Sequence, residues 1–214
     1  GSSSKLLSSE LATSITGRCI EKNIWPLSFK EYLNFIKVKN PSSLERLGHL
    51  QAYFERGAFP AVVLESDLEV QNEILKQYFN EIVLKDVVSR HAIKNIRTLD
   101  QLVLHYFTNV SKLHSYSAVK NAYGMSTDTA GLLTSYLSEA FLIFEVKRFH
   151  RNLKIQSRDP KKIYVIDNGL RNIFAIRQGD DFGKLAENTV YLHLKRRYLE
   201  IHYFKESRET DFLI

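Results

Sequence analysis

Glu187 and Asp211 are the acids in this chain whose setting suggests chemistry. Glu187 lies in "FGKLAENTVYLHLKRRYL", which has helical spacing of its apolar residues, and Asp211 lies in the β-rich run "EIHYFKESRETDFLI". Two carboxylates brought together hold a hard cation such as Mg²⁺, which takes oxygen ligands in octahedral array. A metal so held activates water for phosphodiester cleavage. Glu187 and Asp211 are therefore the candidate metal ligands and the candidate catalytic acids. A helix acid, then a strand Asp, then a Glu-x-Lys on the next strand make the PD-(D/E)xK nuclease pattern. Here the sequence reaches Ile214 before any such strand, so the catalytic set is incomplete and its lysine is missing. A helix-surface Glu and a strand-end Asp would read the same way.

The second chemical feature is charge. Between Glu145 and Ile163 seven cations, Lys147, Arg148, Arg151, Lys154, Arg158, Lys161 and Lys162, face two acids, Glu145 and Asp159. Most of the net charge of +6 is concentrated there. Such a stretch binds phosphates in a salt-sensitive way without reading sequence. A solvated basic loop would carry the same residues.

Other sites are excluded by their spacing. "GDDFGKL" is one residue short of a P-loop and lacks its hydroxyl. The seven His never fall at i, i+4, and no G-x-S-x-G occurs. One cysteine rules out a disulfide framework. No apolar run approaches the ~20 residues of a membrane span, and no leader opens the chain. The expectation is a cytoplasmic protein away from the membrane.

These groups must be positioned by elements that the pattern also predicts. Helices are expected from about Ser4 to Thr16, from Phe29 to about Val38 behind a Ser28/Glu31 capping box, and from Ser43 to Glu55. A long amphipathic helix follows a Ser66/Glu69 box, with Leu75, Phe79, Val83 and Val87 on its apolar face. Thr98 and Gln101 cap the next. "SAVKNAYG" and a helix from near Ser126 to Glu139 precede two β-rich runs, "FLIFEVKRFH" and "KKIYVID", joined by a mobile basic loop. Helix, short helix, helix and hairpin form the order of a winged helix-turn-helix. Its third helix would offer the turn around Thr127 to a major groove, and the hairpin would be the wing. Thr127 and the seven cations are the candidate DNA-binding residues. The third helix itself carries no Arg or Lys. The last strand runs from charged residues into a buried stretch without a cap, which predicts a piece of a longer protein.

Seven strings occur in order along the chain: "GSSSKLLSSELATSITGR", "PLSFKEYL", "YFERGAFPAVV", "YFNEIVLKDVVSR", "KKIYVIDNGL", "GKLAENTVYLHLKRR" and "ETDFLI". Together they resemble the archaeal and bacterial predicted AAA-type ATPases that end in a restriction-endonuclease-like domain of unknown function. The resemblance implies a parent that uses ATP and Mg²⁺ at a P-loop absent here, and no cofactor for this portion alone. It implies that Ser2 and Ser3 match sensor-like serines and that Arg18 matches a basic residue reaching the γ-phosphate. It makes Glu187 and Asp211 the nuclease-like acids.

The expected fold is mainly α with small β additions, α+β. Residues 1–40 are read as an ATPase-core remnant, 41–97 as a helical lid or linker, 98–168 as the winged helix and 169–214 as a partial nuclease-like unit. The expected function is an ATPase fragment, itself inactive on ATP, whose winged helix contacts DNA or a partner protein. A stand-alone DNA-binding regulator and a metal-dependent nuclease are the alternatives.

Overall fold

The computed structural model describes residues 22–176 and 181–214, and these form a mainly helical α+β structure with two small antiparallel sheets. The expected first helix, with Ser2, Ser3 and Arg18, lies outside the described residues.

Local capping explains where the early helices start. In α1 (Phe29–Phe35) the Ser28 side chain accepts from the Glu31 N–H, and Glu31 reaches back to the Ser28 N–H at 2.7 Å. α2 (Ser43–Arg56) repeats the device with Ser42 and Glu45. A short α3 (Pro60–Leu64) opens on proline, whose missing N–H costs nothing in a first turn. α4 (Leu68–Glu81) corrects one expectation. Asp67, not Ser66, is its cap and accepts from the Glu69 and Val70 N–H groups, while Ser66 and Asp67 donate their own N–H to Glu65.

The expected single long helix changes its winding at Ile82–Ser89, which is a π-helix. Leu75, Phe79, Val83 and Val87 recur every four residues, and an α-helix drifts about 40° per such step. The wider turn reverses the drift, and all four side chains stay buried.

α5 (Ile96–Thr108) starts two residues before the expected Thr98 cap, because Asn95 accepts from the Thr98 N–H. β1 (Leu113–His114), α6 (Tyr116–Tyr123), α7 (Thr127–Glu139), β2 (Ile143–Val146) and β3 (Lys161–Val165) follow. Gly124 ends α6 in the left-handed region at φ 73°, and Ser126 caps α7. The three strands form one antiparallel sheet in the order β1-β3-β2. The connection expected to be a mobile loop contains a helix, α8 (Leu153–Arg158), capped by Asn152.

α9 (Asn168–Phe174), α10 (Phe182–Lys195) and the hairpin of β4 (His202–Lys205) and β5 (Glu209–Leu213) complete the chain. One hydrophobic core runs from Val62 to Tyr203 and so crosses three of the four expected units. A smaller cluster joins α1 and α2 to Leu185 of α10. The last strand corrects a further expectation. β5 is mostly exposed, and Phe212 is the residue that packs, 5.7 Å from the Tyr164 ring.

Arg171 and Gly169 lock α9 in place. Arg171 is fully buried, donates from Nε to the Phe107 carbonyl at 2.8 Å and pairs with Asp181 at 2.8 Å. Gly169 lies against α2 so closely that a Cβ there would stand 2.1 Å from the Arg56 carbonyl oxygen. Backbone cannot yield as a flexible side chain would. Gly169→Ala is expected to cost about 2–3 kcal/mol, read as a lowered urea midpoint with unchanged slope; an unchanged midpoint would show that α9 and α2 separate freely.

Candidate functional site

Lys162 sits near the start of β3 with its side chain 3% exposed, and its ammonium is the point on which three carboxylates converge. Nζ lies 3.0 Å from Glu187 Oε1, 2.8 Å from Glu209 Oε1 and 2.6 Å from Asp211 Oδ1. Glu187 also accepts from the Tyr164 hydroxyl at 2.7 Å. The two acids singled out from sequence are therefore brought together, and a lysine counted as a DNA-binding cation is taken out of that role.

Each group is placed by backbone. Asn188 accepts from the Val165 N–H at 2.8 Å and donates to its carbonyl at 3.0 Å, which fixes α10 against β3 and sets Glu187 beside Lys162. β4 is held by residues 147–149: the Tyr203 N–H donates to the Lys147 carbonyl at 3.1 Å, and the Phe149 N–H donates to the Tyr203 carbonyl at 2.7 Å. β5 hangs on β4, and its alternate residues Glu209 and Asp211 share a face. That period of two was available in "RETDFLI" as the signal for Glu209, which sequence reasoning missed.

Burial alone would lower the Lys162 pKa, but the hydrogen bonds it donates to Asp211, Glu209 and Glu187 outweigh that and hold the value raised. Glu209 is held low, chiefly by its hydrogen bond from Lys162. The lysine's contribution to stability is present below the ordinary Lys value of about 10.4 and is lost as pH rises through the raised one. The Glu209 contribution is present above the ordinary Glu value of about 4.3 and is lost as pH falls through the lowered one. Lys162→Met leaves three acids facing one another. It is expected to cost about 2 kcal/mol at pH 7, with the gap to the native protein closing as pH falls below the ordinary Glu value of about 4.3 and Glu209 loses its charge. A pH-independent gap in thermal unfolding would show that the cluster is not held by charge. Among the described residues no group of three or more His, Cys, Asp or Glu is disposed to hold a metal ion.

The remaining cations divide into two sets. Arg148 donates to Asp159 at 3.0 Å and to the Lys205 carbonyl, so it ties α8 and β4 to the sheet. Lys161 donates to the Tyr116 hydroxyl at 3.0 Å and pairs with Glu145 at 3.4 Å. Glu145 is kept low because His114, Lys161 and Tyr116 overcome the upward push of burial. By contrast Lys147, Arg151, Lys154 and Arg158 are exposed, and among the described residues none is in an ion pair.

Thr127 is half-buried in the first turn of α7. The exposed face of α7 carries Asp128, Thr129, Leu132, Ser135 and Glu139, without a cation. Its far end packs on the chain beyond the π-helix, where His91 stacks on Tyr136 at 3.5 Å and 10°.

Asp167 is the buried acid with the strongest upward shift. Burial pushes it up to about 6, against the pull of N–H groups from Leu170, Ala58 and Gly169. It caps α9 and bridges to Ala58 at 2.7 Å, so its oxygens are occupied by structure.

Residues 47–181 are matched by the family model described as Domain of unknown function (DUF8612). The chain is 36% identical to Uncharacterized protein MJ1544 of Methanocaldococcus jannaschii, over 100% of this chain and 51% of that protein. It is 34% identical to an uncharacterized protein of Haemophilus influenzae, over 100% of this chain and 54% of that protein. A second Methanocaldococcus jannaschii protein, Uncharacterized protein MJ1637, is 23% identical over 92% of this chain and 48% of its own length. The chain thus spans about half the length of the relatives it matches. No solved structure matches. These findings correct the resemblance to AAA-type ATPases: the matching model is that of DUF8612, and no AAA or P-loop family is found. The ATPase roles of Ser2, Ser3 and Arg18 rested on that resemblance alone. Among the described residues no helix is long and apolar enough to cross a membrane.

Proposed function

We propose that this chain, which belongs to the Domain of unknown function (DUF8612) family, binds duplex nucleic acid through its phosphates. The unit from Ile96 to Val165 acts as a winged helix in which segment 147–160 is the wing. The order of helices and strands and the β1-β3-β2 sheet support that reading. The observation that carries it is the set of four exposed cations, Lys147, Arg151, Lys154 and Arg158, on one connection. Base readout by α7 is not part of the proposal. Its exposed face offers no Arg or Lys to guanine, and sequence reading rests on such contacts. The protein then works as a non-specific duplex binder in the cytoplasm.

The test is fluorescence anisotropy with two unrelated 20-base-pair DNA duplexes across a salt series. Equal affinity for both and a steep log–log salt slope are expected. Absence of duplex binding at low salt sinks the proposal and points to a protein partner for the same face.

Metal-dependent phosphodiester cleavage is a second reading, favoured by the convergence of Glu187, Glu209 and Asp211 on one cation. As they stand the three acids are not disposed to hold a metal ion, so in that reading Mg²⁺ would have to displace the Lys162 ammonium and draw their oxygens together. Nicking of supercoiled DNA that requires Mg²⁺ and vanishes in Asp211→Asn is expected. Cleavage indifferent to that substitution would end it.

A further inference from the structure

Resting on the nucleic-acid reading, we infer that segment 147–160 does more than lie along phosphates: it unstacks a weak step in the duplex and seats the displaced base beside it. Three apolar side chains stand in water among the cations. Leu153, the first residue of α8, is 75% exposed, and Phe149 and Ile155 are each 40% exposed. Single exposed apolar residues are ordinary on any protein surface. Three within seven positions, interleaved with Lys147, Arg151 and Lys154, are a different arrangement.

The cations bring the segment against the backbone of a duplex. An apolar side chain has no partner on a phosphate. It gains by entering between base pairs, where it replaces stacking and leaves water. Leu153 projects from a helix that Asn152 caps and that Arg148 ties down through Asp159. It is therefore presented on a fixed base rather than on a free loop.

A groove of about 550 Å³ adjoins the wedge, lined by Phe149, His150, Arg151, Leu153, Lys195 and His202 among others. That size lies within the ~300–1,000 Å³ of clefts that hold small ligands. Beside two acids, Glu145 and Glu200, the groove offers an aromatic surface with cationic and imidazole groups, which is the chemistry that holds an unstacked nucleotide. His202 braces the Phe149 ring from the side, at 5.9 Å and 71°, and the β4 backbone pairing fixes its height. The favoured ligand is thus a duplex with a weakened step, such as a mismatch or a fork, in preference to an intact one.

The test uses a duplex with 2-aminopurine at a mismatch, whose emission rises when the base leaves the stack. The protein is expected to raise emission about threefold at saturation and to prefer the mismatched duplex at least about tenfold, because a mismatched base costs less to unstack than a paired one. Leu153→Ser should abolish the rise and the preference while leaving the salt slope and the thermal midpoint unchanged. Phe149→Ser should keep the preference but halve the emission change. Unchanged emission on saturating, salt-sensitive binding would overturn the wedge and leave phosphate binding standing. Loss of all duplex binding by the native protein would overturn both. Leu153-dependent binding to phosphatidylserine vesicles, with none to DNA, would replace the duplex by a lipid surface.

Discussion

Replacing Lys147, Arg151, Lys154 and Arg158 together by Gln is expected to weaken duplex binding about 10³-fold at 0.1 M salt. The log–log salt slope should become shallower by between ~3 and ~4. Each phosphate neutralised releases condensed counterions and contributes about 0.9 to that slope. Four exposed cations with no ion pair among the described residues give up little internal energy to bind. The substitutions should leave the thermal midpoint unchanged, because exposed side chains without partners contribute little to stability. Arg148 does not belong in this variant. It joins Asp159 to the Lys205 carbonyl, and its loss would disturb the platform as well as the charge. A slope that stays the same in the quadruple variant would show that the phosphates are met elsewhere.

Arg171→Met is the substitution expected to do most harm to the fold, at about 3–5 kcal/mol, or a midpoint lowered by roughly 10 °C. The guanidinium is 0% exposed. Its removal leaves the Phe107 carbonyl without the Nε–H and Asp181 without its buried counterion. The pair meets at 2.8 Å as an ion pair rather than an aligned hydrogen bond, so breaking it costs mainly by leaving the buried Asp181 carboxylate with Lys184 as its remaining cation. Burial raises the Asp181 pKa, but Lys184 and Arg171 outweigh it and hold the carboxyl low. The stability this adds is present above the ordinary Asp value of about 3.9 and is lost as pH falls through the lowered one. Arg171→Met should therefore flatten the acid limb of unfolding. Adding Asp181→Asn should recover part of the loss, because the under-compensated buried charge goes with it. A double variant as unstable as the two single costs combined would show that the ion pair is not the source.

The elements were legible where capping chemistry is local. Ser28 with Glu31, Ser126, and Gly124 mark helix ends in the residues themselves, and the structure uses all three. The Ser66 box gives way because its neighbour Asp67 accepts from the same Glu69 N–H, and the Thr98 box because Asn95, three residues earlier, caps the helix by accepting from the N–H of Thr98 itself. Spacing cannot rank rival caps. The basic connection was legible as composition, yet the division between exposed and engaged cations was not. Lys161 and Lys162 are adjacent, and the pleat of β3 sends one to Tyr116 and the other to Glu187.

Local pattern was enough to settle the α+β class and the places of the longer helices, and to single out Glu187 and Asp211 for attention. Those properties depend on neighbours within a few residues, and the chain carries them wherever it goes. Three-dimensional packing alone settled that Lys162 fills the gap between the acids, that Glu209 joins them and that Arg171 is buried with Asp181. Each of these is a meeting of groups from separate elements. Its energy depends on exclusion of water and on distances of about 3 Å, which no spacing along the chain encodes.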